Sequence, residues 1–148
     1  MQLTTYEATL RASADRAFEV LADVERLPRW LETAQRARWA DPDRRGLGAS
    51  FRLHFGGEEA EGAIDRHEPG RAVGHTLGRV ALEATLRPVT AEQTDLTLTL
   101  RGIGPAGTWV GRLVARLFGG FVERATRLML VASVERLARL CETEGHGG

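Results

Sequence analysis

Lysine and asparagine are both missing from the chain, so all 20 of its Lys/Arg cations are arginines. Without lysine there is no Schiff-base amine and no phosphate-loop lysine. The arginine bias itself fits a GC-rich coding composition. An excess of either sign of charge is also missing. The 20 cations meet 20 Asp and Glu residues, and a net charge of zero argues against a nucleic-acid binder. A single cysteine, Cys141, excludes an internal disulfide and is expected to be a packed, inert thiol in a reducing compartment. No uncharged apolar run is long enough to span a membrane. The stretch from Trp109 onward is broken by Arg112, Arg116, Glu123, Arg124 and Arg127. Met1 to Thr5 shows no basic segment leading into an apolar one, so no signal peptide is expected, and the expected location is cytoplasmic. His54, His67, His75 and His146 form no HxH, HExxH or His–Cys pairing, so neither a metal nor a cofactor is expected. No GxSxG elbow surrounds Ser13, Ser50 or Ser133, and Gly102-Ile103-Gly104-Pro105 is no phosphate loop.

What is present is enough for a core. At 148 residues and 43% hydrophobic content, the chain fits one domain over 1–144 with a flexible tail over 145–148. Residues 2–11 alternate as a strand, with Tyr6, Ala8 and Leu10 on one face. Ser13 and Asp23 are N-cap residues for two short helices, the second carrying Pro28 and Trp30. Asp41-Pro42-Asp43 and Gly46-Leu47-Gly48 are turn chemistry. A hairpin follows, with Ser50 to Phe55 alternating into Gly56-Gly57. Strands are expected at 59–67, 71–77, 80–87 and 94–101, separated by tight turns, which is an antiparallel meander. Beyond Gly107 the apolar period becomes helical, through Val110, Leu113, Leu117, Phe121, Leu128, Ala132 and Leu137. Gly119-Gly120 marks a place for a kink or a close backbone approach.

This order of elements predicts an α+β domain whose long C-terminal helix closes a curved, seven-stranded antiparallel sheet. One helix carries a single apolar stripe, narrower than the face it must cover. Several inward positions are small, among them Ala8, Ala60, Gly62, Ala84, Ala125 and Ala132. An apolar ligand cavity between sheet and helix is the expectation, and such cavities typically measure about 300–1,000 Å³.

The segment from Ala12-Ser13-Ala14-Asp15-Arg16-Ala17-Phe18 through Leu27-Pro28-Arg29-Trp30 resembles the N-terminal signature of the START/Bet v 1-like superfamily. Its polyketide cyclase/dehydrase-like branch is nearest in pattern. Gly48 ahead of Phe51, Glu68-Pro69-Gly70-Arg71 at a turn, and Leu137 to Glu142 carry the likeness along nearly the whole chain. The resemblance implies a helix-grip fold and binding, with transport in some members, of a hydrophobic small molecule such as a lipid, quinone or polyketide. It also permits cyclisation or dehydration of a polyketide held in the same cavity. The residues themselves lean away from catalysis, because no recognisable catalytic set is present. A third class, a partner-binding protein that uses the exposed side of the sheet, would have a solid interior.

The candidate ligand contacts are Tyr6, Trp30, Trp39, Phe51, Leu53, Phe55, Ile64, Arg66, His75, Leu82, Leu98, Phe118, Phe121 and Met129. His75, Arg66 and Tyr6 are the catalytic candidates. His75 lies in phase with Val73 and Leu77, so it either lines the cavity or sits as a hydrogen-bonded core histidine. Arg66 points inward if strict alternation continues from Gly62 and Ile64, and outward after a one-residue slip. A family resemblance places Trp30 at an end of the cavity, and the plain alternative makes it an anchor for the short helices.

Overall fold

The computed structural model describes residues 2–32, 34–55, 58–77, 80–102 and 127–142. The first strand, β1 (Gln2–Leu10), runs into helix α1 (Ala14–Ala22), a 3-10 turn (Val24–Arg26) and the four-residue helix α2 (Leu27–Trp30). Six strands follow: β2 (Ala34–Trp39), β3 (Ser50–Phe55), β4 (Glu58–Glu68), β5 (Ala72–Leu77), β6 (Val80–Thr90) and β7 (Gln93–Gly102). Helix α3 covers 127–142.

The caps are those the sequence calls for. The Ser13 side chain accepts a hydrogen bond from the Arg16 amide at 3.1 Å, and that of Asp23 from the Glu25 amide at 3.1 Å. Pro28 stands in the first turn of α2, where its missing N–H leaves no bond unmade. In the β4–β5 connection, Gly70 takes φ 73° after Pro69, and the Arg71 amide reaches the Glu68 carbonyl at 2.9 Å. That is the geometry of a turn with proline second and glycine third.

All seven strands form one antiparallel sheet in the order β1-β7-β6-β5-β4-β3-β2. Sequence neighbours pair throughout except that β1 closes onto β7, so β1 and β2 are the edges. The sheet is curved, and its concave side carries the apolar alternation. Helix α1 packs on β5, β6 and β7, and α2 packs against β2. Leu130, Val134, Leu137 and Cys141 repeat at four- and three-residue steps along α3, and all are buried in the same apolar cluster as the concave face. Leu128, expected in that stripe, is instead 70% exposed, one helical step off the buried line. Ser133 ties α3 to the end of α2 by accepting the Glu32 amide at 3.0 Å. Gly56-Gly57, Gly119-Gly120 and the helical stretch expected between Val110 and Phe121 lie outside the described residues.

Alternation fails at one place, and it decides the fate of Arg66. In β4 the register shifts between Ile64, which faces His75, and Arg66, which faces Gly74. Asp65 is the extra residue of a β-bulge, and both it and Arg66 turn to the convex side. Gly74 makes this possible. A Cβ there would stand 2.2 Å from Asp65 Oδ1 and 2.9 Å from the Arg66 Cβ.

Candidate functional site

The concave face is built in rows that cross the sheet. Tyr6, Leu98, Ala84 and Val73 stand side by side in one. Leu100, Leu82, His75 and Ile64 form the next. A third carries Leu77, Gly62, Phe51 and Trp39 toward the β2 edge. Leu53 lies beside Ala60 and Ala37. Eight of the fourteen candidate contacts therefore share this face: Tyr6, Trp39, Phe51, Leu53, Ile64, His75, Leu82 and Leu98. Trp30 lies fully buried on α2, and Met129 lies half-buried on α3. Phe55 ends β3, and Phe118 and Phe121 lie outside the described residues.

Small side chains shape the face. A Cβ on Gly62 would meet Phe51 Cζ at 2.4 Å and the Thr76 carbonyl at 2.6 Å, so the missing side chain is what lets the Phe51 ring lie across β4. Ala37, Ala60 and Ala84 stand beside larger neighbours in the same rows.

His75 is the polar exception among these leucines. It is 1% exposed, and its ring stands edge-on to Phe51 with the centroids 6.0 Å apart. Its Nε2 is buried with no hydrogen-bond partner among the described residues. Burial holds its pKa down to about 4, against the opposing pull of the Asp65 carboxylate and a hydrogen bond to the backbone of Leu21. A backbone contact that favours the protonated ring is one in which the ring N–H donates, so the acceptor is the Leu21 carbonyl. With Nε2 unpartnered, that donor is Nδ1–H. The imidazole is neutral at physiological pH, and Nε2 holds its lone pair inside the protein.

Arg66, a candidate from strict alternation, does not join this site. Because of the bulge at Asp65 it lies on the convex face with a 41% exposed side chain, where it bonds Glu68 and reaches Glu83 Oε1 at 2.5 Å. Arg101 holds the other oxygen of Glu83 at 3.0 Å. The residue that the bulge turns inward is His67, which pure alternation misses. Its ring meets that of Phe18 on α1 edge-on, with centroids 5.0 Å apart. The signal for it was Gly74, a residue without a side chain opposite two consecutive charged positions.

No set of three or more His, Cys, Asp or Glu side chains is grouped to hold a metal among the described residues. Cys141 is a buried thiol, and Ser133 is engaged with the Glu32 amide. No helix among the described residues is long and apolar enough to cross a membrane. The chemistry this face offers is apolar enclosure plus the buried, neutral imidazole of His75, with the half-buried Tyr6 in the neighbouring row and His67 packed against Phe18.

A curved antiparallel sheet with two short helices after its first strand and a C-terminal helix against its concave side is a helix-grip fold of the START/Bet v 1-like kind. The family described as polyketide cyclase/dehydrase and lipid transport matches residues 1–142, and the chain belongs to it. Comparison with the curated proteins gives no match. Among solved structures, the Zhui aromatase/cyclase from Streptomyces sp. R1128 is similar at 23% identity, over 94% of this chain and 92% of its own, with a TM-score of 0.67. Protein BH1534 from Bacillus halodurans is similar at 16% identity, over 95% and 96%, with a TM-score of 0.72. The di-domain aromatase/cyclase StfQ of the steffimycin biosynthetic pathway is similar at 16% identity, over 94% of this chain and 46% of its own, with a TM-score of 0.62. At these identities the likeness is one of fold.

Proposed function

We propose that the protein binds a hydrophobic small molecule, such as a lipid, quinone or polyketide, between the concave face of the sheet and its C-terminal helix. The observation that carries this reading is the make-up of that face. Rows of leucines are interrupted by glycine and alanine, and they contain one buried imidazole nitrogen without a partner among the described residues. An apolar wall with few polar groups is the usual lining of a ligand site. Membership of a family described by polyketide cyclisation, dehydration and lipid transport supports the same reading.

Native mass spectrometry of the purified protein, together with fluorescence titration by an apolar probe such as anilinonaphthalene sulfonate, tests it. A retained ligand or saturable one-to-one probe binding is expected. Absence of both removes the proposal.

A second reading, a cyclase or dehydratase, is favoured by the neutral state of His75. A neutral imidazole beside an enclosed poly-β-keto chain can take a proton from an activated methylene, and the Tyr6 hydroxyl can donate toward the developing enolate. Arg66 has no part in this version, because it lies on the other side of the sheet. Turnover of a poly-β-keto substrate by the wild type that survives unchanged in His75→Gln would exclude His75 from the chemistry.

A further inference from the structure

We infer that His75 is the specificity-determining residue of the interior site, its Nε2 selecting, among apolar molecules, those that carry a hydrogen-bond donor such as a hydroxyl group. This rests on the binding role proposed above. It goes further by naming the feature a ligand must bring.

Three ring nitrogens are buried without a hydrogen-bond partner among the described residues: Nε1 of Trp30, Nε1 of Trp39 and Nε2 of His75. The two indole N–H groups are donors. His75 Nε2 is the one acceptor of the three, because its sister nitrogen already donates to the Leu21 carbonyl. The ring is held from several directions. Leu82 and Ile64 flank it in the register of β6 and β4, the Phe51 ring lies nearly perpendicular to it with the centroids 6.0 Å apart, and Leu21 on α1 fixes the far nitrogen. Rotation that would bring Nε2 to water is blocked, since the residue is 1% exposed. The nearest charge acting on it, Asp65, sits in the convex turn of the bulge and bonds Thr76 there at 3.0 Å, so it offers Nε2 no proton.

A buried acceptor left unpaired is costly, and a site built around one discriminates against molecules that cannot satisfy it. A ligand hydroxyl at Nε2 regains that cost, and a methyl group in the same place does not. The preference expected for one neutral hydrogen bond is about tenfold in Kd. Hydrophobicity works in the opposite direction, because exchanging methyl for hydroxyl makes a molecule less prone to leave water. A hydroxyl preference therefore reports the imidazole and not partition.

The test uses a matched pair, 1-naphthol and 1-methylnaphthalene, titrated calorimetrically into the wild-type protein and into His75→Phe. The wild type is expected to bind 1-naphthol about tenfold more tightly, and His75→Phe to lose that preference while keeping 1-methylnaphthalene. A nitrogen NMR spectrum of the wild type gives a second readout that needs no variant. The His75 Nε2 signal should move on adding 1-naphthol and stay in place with 1-methylnaphthalene. Equal affinities, or an Nε2 signal that ignores 1-naphthol, overturn the inference and leave the binding role standing. If neither compound nor any apolar probe binds, the binding role fails and the inference falls with it.

Discussion

Lowering the pH should destabilise the protein through His75, and the size of the loss follows from where that ring sits. In the unfolded chain the imidazole takes a proton near pH 6.5. In the fold, burial keeps it neutral until about pH 4. Between those values the unfolded state binds a proton that the folded state refuses, so stability falls as the pH falls. The contribution is complete above pH 6.5, declines through pH 5, and is lost below pH 4. At about 1.4 kcal/mol per pKa unit, the full loss is about 3 kcal/mol, of which about 2–3 kcal/mol has gone by pH 4.5. Against a typical total of about 5–15 kcal/mol for a domain, this is a large share.

Urea unfolding of the wild type and of His75→Phe at pH 7, 6, 5 and 4.5 isolates this effect, because His54, His67, His146 and every carboxylate are common to both chains. Asp95 is one such group. Hydrogen bonds from Arg87 and then Thr9 hold its carboxyl below the usual range, so it loses its contribution in the acid in both proteins and cancels. The variant should gain on the wild type by about 2–3 kcal/mol between pH 7 and pH 4.5. A gap that does not change with pH, or a His75 resonance that titrates near 6.5, would refute the argument that the ring is held neutral by burial.

Three further changes probe the architecture. Gly62→Ala places a methyl 2.4 Å from Phe51 Cζ and 2.6 Å from a backbone oxygen, and overpacking of that kind should cost about 1–3 kcal/mol, seen as a lower urea midpoint. Ser133→Ala removes the acceptor of the Glu32 amide and should cost about 1 kcal/mol, with faster amide exchange at Glu32 than in the wild type. Arg66→Ala removes two surface ion pairs, with Glu68 and Glu83, from a 41% exposed side chain. It should leave the urea midpoint close to that of the wild type and the Kd for an apolar probe unchanged, whereas a large loss of probe binding would place Arg66 back in the site.

Much of the fold was readable because its signals are local. Alternation with tight turns set out the meander, and Ser13 and Asp23 marked the helix starts. The inward phase of His75 came from Val73 and Leu77 in the same short strand, where no irregularity intervenes. Arg66 stayed undecided between the two faces for the converse reason. A bulge is a property of two strands together, and nothing within Ile64-Asp65-Arg66 announces it. Its enabling residue, Gly74, is eight positions further along the chain and becomes informative only once it is known to lie opposite Arg66. Leu128 shows the corresponding limit in a helix. Its spacing from Leu137 admits it to an apolar stripe, yet the face that α3 buries is fixed by Leu130, Val134 and Cys141 against the sheet.

The two sides of this one sheet solve the problem of polar groups in opposite ways, and the contrast is what gives His75 its meaning. On the convex side each charge near the bulge is answered: Glu68 and Glu83 take Arg66, Arg101 takes the second oxygen of Glu83, and Thr76 donates to Asp65. Such pairs sit in water and contribute little individually. On the concave side a fixed, neutral acceptor stands among leucines with no partner among the described residues. Replacing that ring with an apolar one would remove a buried unpaired nitrogen but also the bond to the Leu21 carbonyl, two changes of similar size and opposite sign, so stability alone gives little reason to keep it. Retaining such a nitrogen makes sense when something else completes its hydrogen bond. His75→Phe should accordingly stay within about 1 kcal/mol of the wild type without ligand at pH 7, and be less stabilised than the wild type by saturating 1-naphthol. A variant that is less stable by several times that amount would make His75 a packing residue, and the case for a donor-bearing ligand would lose its energetic basis.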